Sequence, residues 1–419
     1  MIYFSNEKLT IDGGWQTIKI SNNKKIYKKD DVRMDLRSLL MNAKLAEIEF
    51  LVEGEKVPGH LGLLSVRCPA LIEIIESTKP TIYDENGNFK VPKEKQPVQV
   101  PIDNIKYLVF TNLMEYIYTG TLTYTDLELI VYLRSAATRF GLPQCKKLAA
   151  YQIKKHLCLT NVLSVLQSAY LCNEIEVKEF AFNFIAENYD DIALSDKIKE
   201  LNHELLVEFL RIPTKGFQRK KTRDNDFDTI GDVMPVSSLK DDLSSLVGSR
   251  QFADIQFIIQ GTTIYAHHCI LFARNPVFSR LWFEGGMIES VTRQVVIDNV
   301  SVDIFKQLLI YIYSGNVQLS SVEQALDLIC VSDRYFIDTL KTNCESYITS
   351  NITNEDVLDV LQVAENCRLY QLKDLCLSLI VNNISILANK EAELLRLPQA
   401  LVVSILLAYA RTSSTIKSP

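Results

Sequence analysis

The chain of 419 residues states one long pattern twice. EIEFLVEGEKVPGHLGLLSVRCP, from Glu47 to Pro69, lies without a gap on DIQFIIQGTTIYAHHCILFARNP, from Asp254 to Pro276, 207 residues later. Ile48, Phe50, Gly54, His60, Leu64, Arg67 and Pro69 recur there as Ile255, Phe257, Gly261, His267, Leu271, Arg274 and Pro276. Further on the separation is 195 residues: MEYIYTG at Met114–Gly120 matches LIYIYSG at Leu309–Gly315, and LQSAYLC at Leu166–Cys172 matches LQVAENC at Leu361–Cys367. The first copy therefore holds 12 extra residues, 207 against 195, between Pro69 and Met114. So long a period is domain duplication, since solenoid repeats run to about 20–50 residues. Together with the length it predicts four units in two pairs.

A hydrophobic fraction of 47% with only 15 glycines and 12 prolines describes a packed, helix-rich chain. The net charge of -6 argues against a general attraction to nucleic acid or to anionic membranes. No segment reaches the roughly 18 consecutive apolar residues of a membrane span. The longest, ALVVSILLAYA at Ala400–Ala410, reads as a last buried helix. The opening MIYFSNEKLTIDGG has no basic start and apolar core of a secretory signal, so a cytoplasmic or nuclear location is expected. The nine cysteines include no CxxC pair and read as small core residues in a reducing compartment. No metal site or cofactor is expected.

Residues 1–30 contain two short β-like runs, WQTIKI at Trp15–Ile20 and IYKKDD, joined by NNKK as in a hairpin. Each repeat then opens with an amphipathic helix, DLRSLLMNA in the first and VSSLKDDLSSLVG in the second. In the second copy FADIQFII alternates apolar and polar residues, Gly261 turns the chain, and TTIYA returns. Two short helical runs, CILFAR and PVFSRLWF, precede a strand, QVVIDNV. From there apolar residues recur at three- and four-residue spacings, with helix starts assigned at Ser320 and Asn354. Between the repeats, Ile212–Pro235 runs from basic to acidic and reads as a solvated linker. KGFQRKKTR within it has the composition of a nuclear localisation signal, but a charged linker is the simpler reading. The segment Ser77–Gln99 of the first copy, rich in Pro, Lys and Asn, is expected to be a mobile loop.

The order of these elements, with AHHCILFARNPVFSRLWFEGGMIE, VVIDNVSVDIFKQLLIYIYSGNV and DTLKTNCESYI, resembles the BTB/POZ domain. The tail with VLDVLQVAENC resembles the BACK extension, and the likeness covers about nine-tenths of the chain. The tandem with an insertion in its first BTB is similar to the C-terminal half of the leucine-zipper-like transcriptional regulators. The resemblance implies an α+β fold of two BTB/POZ domains, each a small sheet embedded in helices and followed by an all-helical BACK extension. The expected divisions are a short β segment at 1–30, BTB 1 at 31–152 with its inserted loop at 77–99, and BACK 1 at 153–212. The charged linker at 213–235, BTB 2 at 236–350 and BACK 2 at 351–412 follow.

That resemblance further implies a protein-interaction scaffold that dimerises and serves as a substrate adaptor of a cullin-3 ubiquitin ligase, its substrate an unknown protein. Met287, Ile288 and Glu289 match the hydrophobic-x-Glu run that cullin-3 adaptors present before their fourth strand. Val357, Leu358 and Leu361 map to the part of the BACK region that completes the surface, or equally to ordinary helical core. The apolar stripe of Leu239, Leu243 and Leu246 calls for a partner surface. Asp254 and His268 occupy the positions of an acid and a base at the family's dimer groove. On that reading Asp254 raises the histidine's pKa and association tightens at lower pH. The other reading is a hydrogen bond inside one protomer; in the first copy the pair is Glu47 and Leu61, which cannot form an ion pair. Pairing of the repeats within one chain or between chains stays open. The alternative function is a structural or transcription-linked oligomerisation module without ligase contact. Catalysis is not expected: there is no GxSxG, phosphate loop or HExxH, and only five histidines, of which His60 and His267 read as structural.

Overall fold

The computed structural model describes residues 2–5, 8–11, 32–40, 42–78, 97–123, 126–212, 227, 236–275, 277–278 and 293–415. At the start, β1 (Ile2–Ser5) and β2 (Lys8–Ile11) pair antiparallel, with Ile2 opposite Ile11. The hairpin expected at Trp15–Ile20 lies outside the described residues, as do most of the loop at 77–99 and most of the linker at 213–235. By their contacts the described residues form two compact units, one of Val32–Leu246 with Arg250–Ala253, the other chiefly Asp254–Pro419.

The first unit contains α1 (Val32–Leu40), β3 (Ile48–Val52), β4 (Glu55–Gly59), α2 (Leu61–Arg67), α3 (Pro69–Thr78), β5 (Val98–Pro101), α4 (Tyr107–Thr119), α5 (Leu127–Arg139) and α6 (Pro143–His156). α7 (Val162–Leu171), α8 (Ile175–Glu187), α9 (Tyr189–Ala193) and α10 (His203–Leu210) follow as the helical extension. β3 is central: Ile48 faces Gly59 on antiparallel β4, and Phe50 faces Val100 on parallel β5. Alternation puts Ile48, Phe50 and Val52 on the buried face, where the Phe50 ring meets Phe110 edge-on at 5.4 Å. The β3–β4 turn needs positive φ at both central residues, 51° at Glu53 and 86° at Gly54, the twist a two-residue hairpin requires. The extension has its own core of Leu166, Phe182, Ile185, Leu205 and Phe209.

The first unit also contains α11 (Leu239–Ser245), the opening helix of the second repeat. Helix packing thus divides the chain after Leu246, whereas the charge pattern suggested Ile212–Pro235. Nor is that linker solvated throughout: Phe227 is buried and stacks on Phe180 with ring centroids 4.5 Å apart. An aromatic side chain can be buried without any apolar periodicity in the sequence around it.

The second unit repeats the plan with β6 (Ile255–Ile259), β7 (Thr262–Ala266), α12 (His268–Arg274), β8 (Gln294–Val296), α13 (Val302–Ser314), α14 (Val322–Arg334) and α15 (Asp338–Asn351). Its extension is α16 (Val357–Asn366), α17 (Tyr370–Asn382), α18 (Glu391–Leu394) and α19 (Gln399–Thr415). β6 pairs antiparallel with β7 and parallel with β8, Phe257 facing Ile264 and Val295. The Ser321 hydroxyl, next to the expected Ser320, caps α14 by accepting from the Gln324 N–H at 3.1 Å. α16 starts after Asp356, whose carboxylate accepts from the Thr353 hydroxyl at 2.6 Å, so Asn354 lies in the turn before it. The last helix is buried on one face only: Leu401 and Ile405 are covered, while Val403, Leu406 and Leu407 are exposed.

Candidate interaction surfaces

Arg67 ends α2 and is almost wholly buried, its side chain 3% exposed. Its Nε donates to the Ile117 carbonyl at 2.9 Å, fastening α2 to the last turn of α4. Its Nη1 reaches α11, donating to Ser238 Oγ at 3.2 Å and pairing with the Asp242 carboxylate. Gly120 closes α4 at φ 65°, and a Cβ there would stand 2.0 Å from Ser237 Oγ, so the glycine serves both the left-handed cap and the approach of the chain leading into α11. Leu239, Leu243 and Leu246 are all buried. These three leucines were expected at a dimer interface, with pairing within one chain or between chains left open. They are already covered within one chain, where α11 packs on α2, because the stripe meets an apolar face of the first repeat.

Asp254 and His268 do come together, but not as a side-chain ion pair. Asp254 Oδ1 accepts from the backbone N–H of His268 at 2.7 Å, and the other carboxylate oxygen lies 3.9 Å from Arg293. The first copy makes the same bond, Leu61 N–H to Glu47 Oε2 at 3.2 Å. The conserved geometry is an acid satisfying an orphan donor at the start of α2 and α12, for which Leu61 is as good as His268. Burial lowers the pKa of His268, outweighing the opposite pull of Asp254 and reinforced by Arg293. The expected rise is therefore corrected: the imidazole loses its hydration before it gains a salt bridge.

His60 and His267 are structural. Tyr118 Oη lies 2.7 Å from His60 Nδ1 and accepts from the His60 backbone N–H at 3.1 Å; Tyr313 stands at 3.1 and 2.8 Å in the same relation to His267. Complete burial drives the His60 pKa down to about 4.

Met287, Ile288 and Glu289 lie outside the described residues. Val357, Leu358 and Leu361 are buried in the core of the second extension, at no more than 1% exposure. They cannot touch a partner while α16 is folded, because they sit on the helix stripe that packs inward. The solvent side of α16 carries Asp359 and Glu365 instead.

Sequence reading assigned no role to the joint between each sheet-bearing domain and its extension. In the first unit Arg134 of α5, 1% exposed, pairs with both Glu174 and Glu176 at the start of α8, and its guanidinium lies 5.6 Å from the Phe227 ring. Burial raises the Glu174 pKa, with Arg134 pulling the other way. Beside this joint is an open groove of about 440 Å³ lined by Glu53, Lys106, Tyr132, Arg139, Leu171 and Cys172. Lys106 sits 4.7 Å from the Tyr132 ring centroid, and Glu53 accepts from the Tyr107 N–H at 2.8 Å. Among the described residues no group of His, Cys, Asp and Glu is arranged for a metal, and no helix is long and apolar enough to cross a membrane.

Two three-stranded sheets embedded in helices, each with a helical extension, define an interaction module. The BTB/POZ domain family matches residues 36–157 and 243–352, and the chain belongs to that family. It is 26% identical over 408 residues to the human leucine-zipper-like transcriptional regulator 1, covering 91% of this chain and 47% of that protein. The Drosophila melanogaster homologue is 25% identical over 398 residues, covering 87% and 40%. The chain thus spans about half the length of the curated relatives it matches. Among solved structures, the BTB domain of human gigaxonin matches at 23% identity over 31% of this chain and 98% of that one, with a TM-score of 0.22. As a tandem BTB protein the chain is a protein-interaction scaffold. Domains of this family mediate dimerisation and partner binding and are typically non-enzymatic.

Proposed function

We propose that the chain is the assembly part of a cullin-3 ubiquitin ligase, recruiting cullin-3 through its second BTB domain on behalf of an unidentified protein substrate. The observation that carries this reading is the run Met287-Ile288-Glu289, which falls in sequence between α12 and β8 and has no counterpart in the first copy. An exposed apolar side chain next to an acid supplies an anchor and an orienting charge for a partner pocket. α16 contributes to the same surface with Asp359 and Glu365, its buried leucines serving as the rigid backing. The nine cysteines are all free thiols, which supports cytoplasm or nucleus as the place of action.

The relatives' name favours a second reading, a transcription-linked oligomerisation module without ligase contact. Calorimetry with the cullin-3 N-terminal region separates the two. Binding by the full chain, weakened by at least about 2 kcal/mol in Met287→Ala/Glu289→Ala, is expected for the adaptor. No binding by the folded wild type, or unchanged affinity in the folded double variant, overturns the ligase reading.

A further inference from the structure

α19 is apolar on both sides. No charged residue stands between Arg396 and Arg411. One side packs on α17, with Leu401 and Ile405 buried. The other side meets solvent: Val403 is 45% exposed, Leu406 62% and Leu407 52%. Ser404, the one polar residue from Leu401 to Ala408, is satisfied within the helix, its hydroxyl donating to the Ala400 carbonyl at 2.9 Å. A helix with no polar side is ordinarily covered all round, and the outer side of this one is bare.

In the first repeat the corresponding face is built for water. Its helix α10 buries Leu205 and Phe209 as α19 buries Leu401 and Ile405, 196 residues on. On that alignment Ala400, Val403 and Leu407 stand where the first copy has Glu204, Val207 and Arg211. Glu204 accepts from the Tyr170 hydroxyl, and Glu208 pairs with Lys178 at 2.8 Å. The second copy keeps the buried pair and lacks the charges outside it, so its outer face is complementary to another charge-free surface.

The order of the outer residues makes the face its own complement. Ala400, Val403, Leu407 and Ala410 follow one another at spacings of three, four and three, the rhythm of a helix-pairing seam, and read small, large, large, small from either end. Turned end for end about the level of Ile405, the stripe lands on itself, Ala400 opposite Ala410 and Val403 opposite Leu407. The alanines let the helix ends approach while the branched side chains fill the middle, as a two-fold contact between identical surfaces requires. We propose that the outer face of α19 is an interface between two copies of this chain, packed antiparallel. The helix is only about 25 Å long, so the contact buries well under the roughly 800 Å² per partner of a stable complex. The dimer is therefore weak and governed by concentration, and it stands apart from cullin-3 recruitment.

Sedimentation equilibrium of the full chain across the micromolar range should show a mass climbing from 47.7 kDa towards twice that value. Leu407→Glu places two carboxylates in the apolar contact and should raise the dissociation constant at least about tenfold, with the circular dichroism of the fold unchanged. Leu210→Glu, at an exposed leucine of the first repeat's α10, should leave association as it is. Val403→Cys and Leu407→Cys chains, mixed, oxidised and mapped by mass spectrometry, should link position 403 of one chain to position 407 of the other. The proposal is overturned by a mass that stays at the monomer, by a dimer indifferent to Leu407→Glu, which would put the pairing in the BTB domains, or by Leu407→Cys chains that link through position 407 to each other.

Discussion

The two repeats join sheet-bearing domain to helical extension with opposite chemistry. In the first, Arg134 is buried between α5 and α8 against Glu174 and Glu176. In the second, 195 residues on, the same three positions are Ile329, Leu369 and Gln371, and the isoleucine and leucine are buried. One backbone plan tolerates either solution because the helices pack in the same pairs, α5 with α6 and α7, α14 with α15 and α16. The ionic joint is not the stronger for being charged. Each charge gives up hydration that the pair must recover, and apolar replacements of similar volume are commonly neutral or stabilising. What the charges supply is direction: a planar guanidinium donates to its two carboxylates in one arrangement, whereas apolar side chains can slide.

The largest expected effect tests this contrast directly. Arg134→Ala strands Glu174 and should cost about 3–5 kcal/mol of stability in chemical denaturation of the first unit's helices. Arg134→Ile/Glu174→Leu/Glu176→Gln, which installs the second copy's residues, should recover most of that loss. A triple variant as unstable as the single one would show that the two joints are not interchangeable.

A smaller effect follows from buried histidine. His60 takes a proton only near pH 4, whereas the unfolded imidazole takes one near 6.5. The unfolded state therefore binds more protons in between, and stability is full above about pH 6.5 and falls as pH drops towards 4, by about 3 kcal/mol in all. His268 has no counterpart in the first copy, where the residue is Leu61, and its lowered pKa adds in the same direction to the second unit. Denaturation at pH 7.5 and 5, read by probes in each unit, should show His60→Asn flattening the profile of the first and His268→Leu that of the second. Association that tightens on acidification through His268 would contradict this sign.

The smallest effect concerns α11. Arg67 and Arg274 both donate through Nε to the last turn of the following long helix, at 2.9 and 2.7 Å, and Arg67 also holds Asp242. Asp242→Asn removes the charge opposite a buried guanidinium and should cost about 2 kcal/mol. Hydrogen exchange should report it as lost protection confined to α11 and α2, and unaltered exchange there would make the ion pair incidental.

Much of this was legible beforehand. Gly54 and Gly261 marked the same hairpin turn, and the alternation through Phe50 and Phe257 fixed which strand face is buried. The repeated phrases gave two BTB domains with helical extensions, since hydrophobic period and turn chemistry are local properties of the chain. The site residues read less well for a physical reason. Leu239, Leu243 and Leu246 showed a stripe that needs covering, but a stripe does not name its cover. Asp254 beside His268 looked like a charge pair, but a carboxylate serves a backbone N–H equally well, and Glu47 with Leu61 held the clue.

The sequence by itself determined the duplication, the α+β class, the family and the order of the elements, because these follow from near-neighbour periodicity and from comparison of one half with the other. Tertiary structure alone decided that α11 is covered by the first repeat and that Arg134 is matched by two glutamates. Both join residues 40 or more positions apart, and whether a buried charge or an apolar stripe finds its cover at such separations depends on how helices pack, which no local pattern encodes.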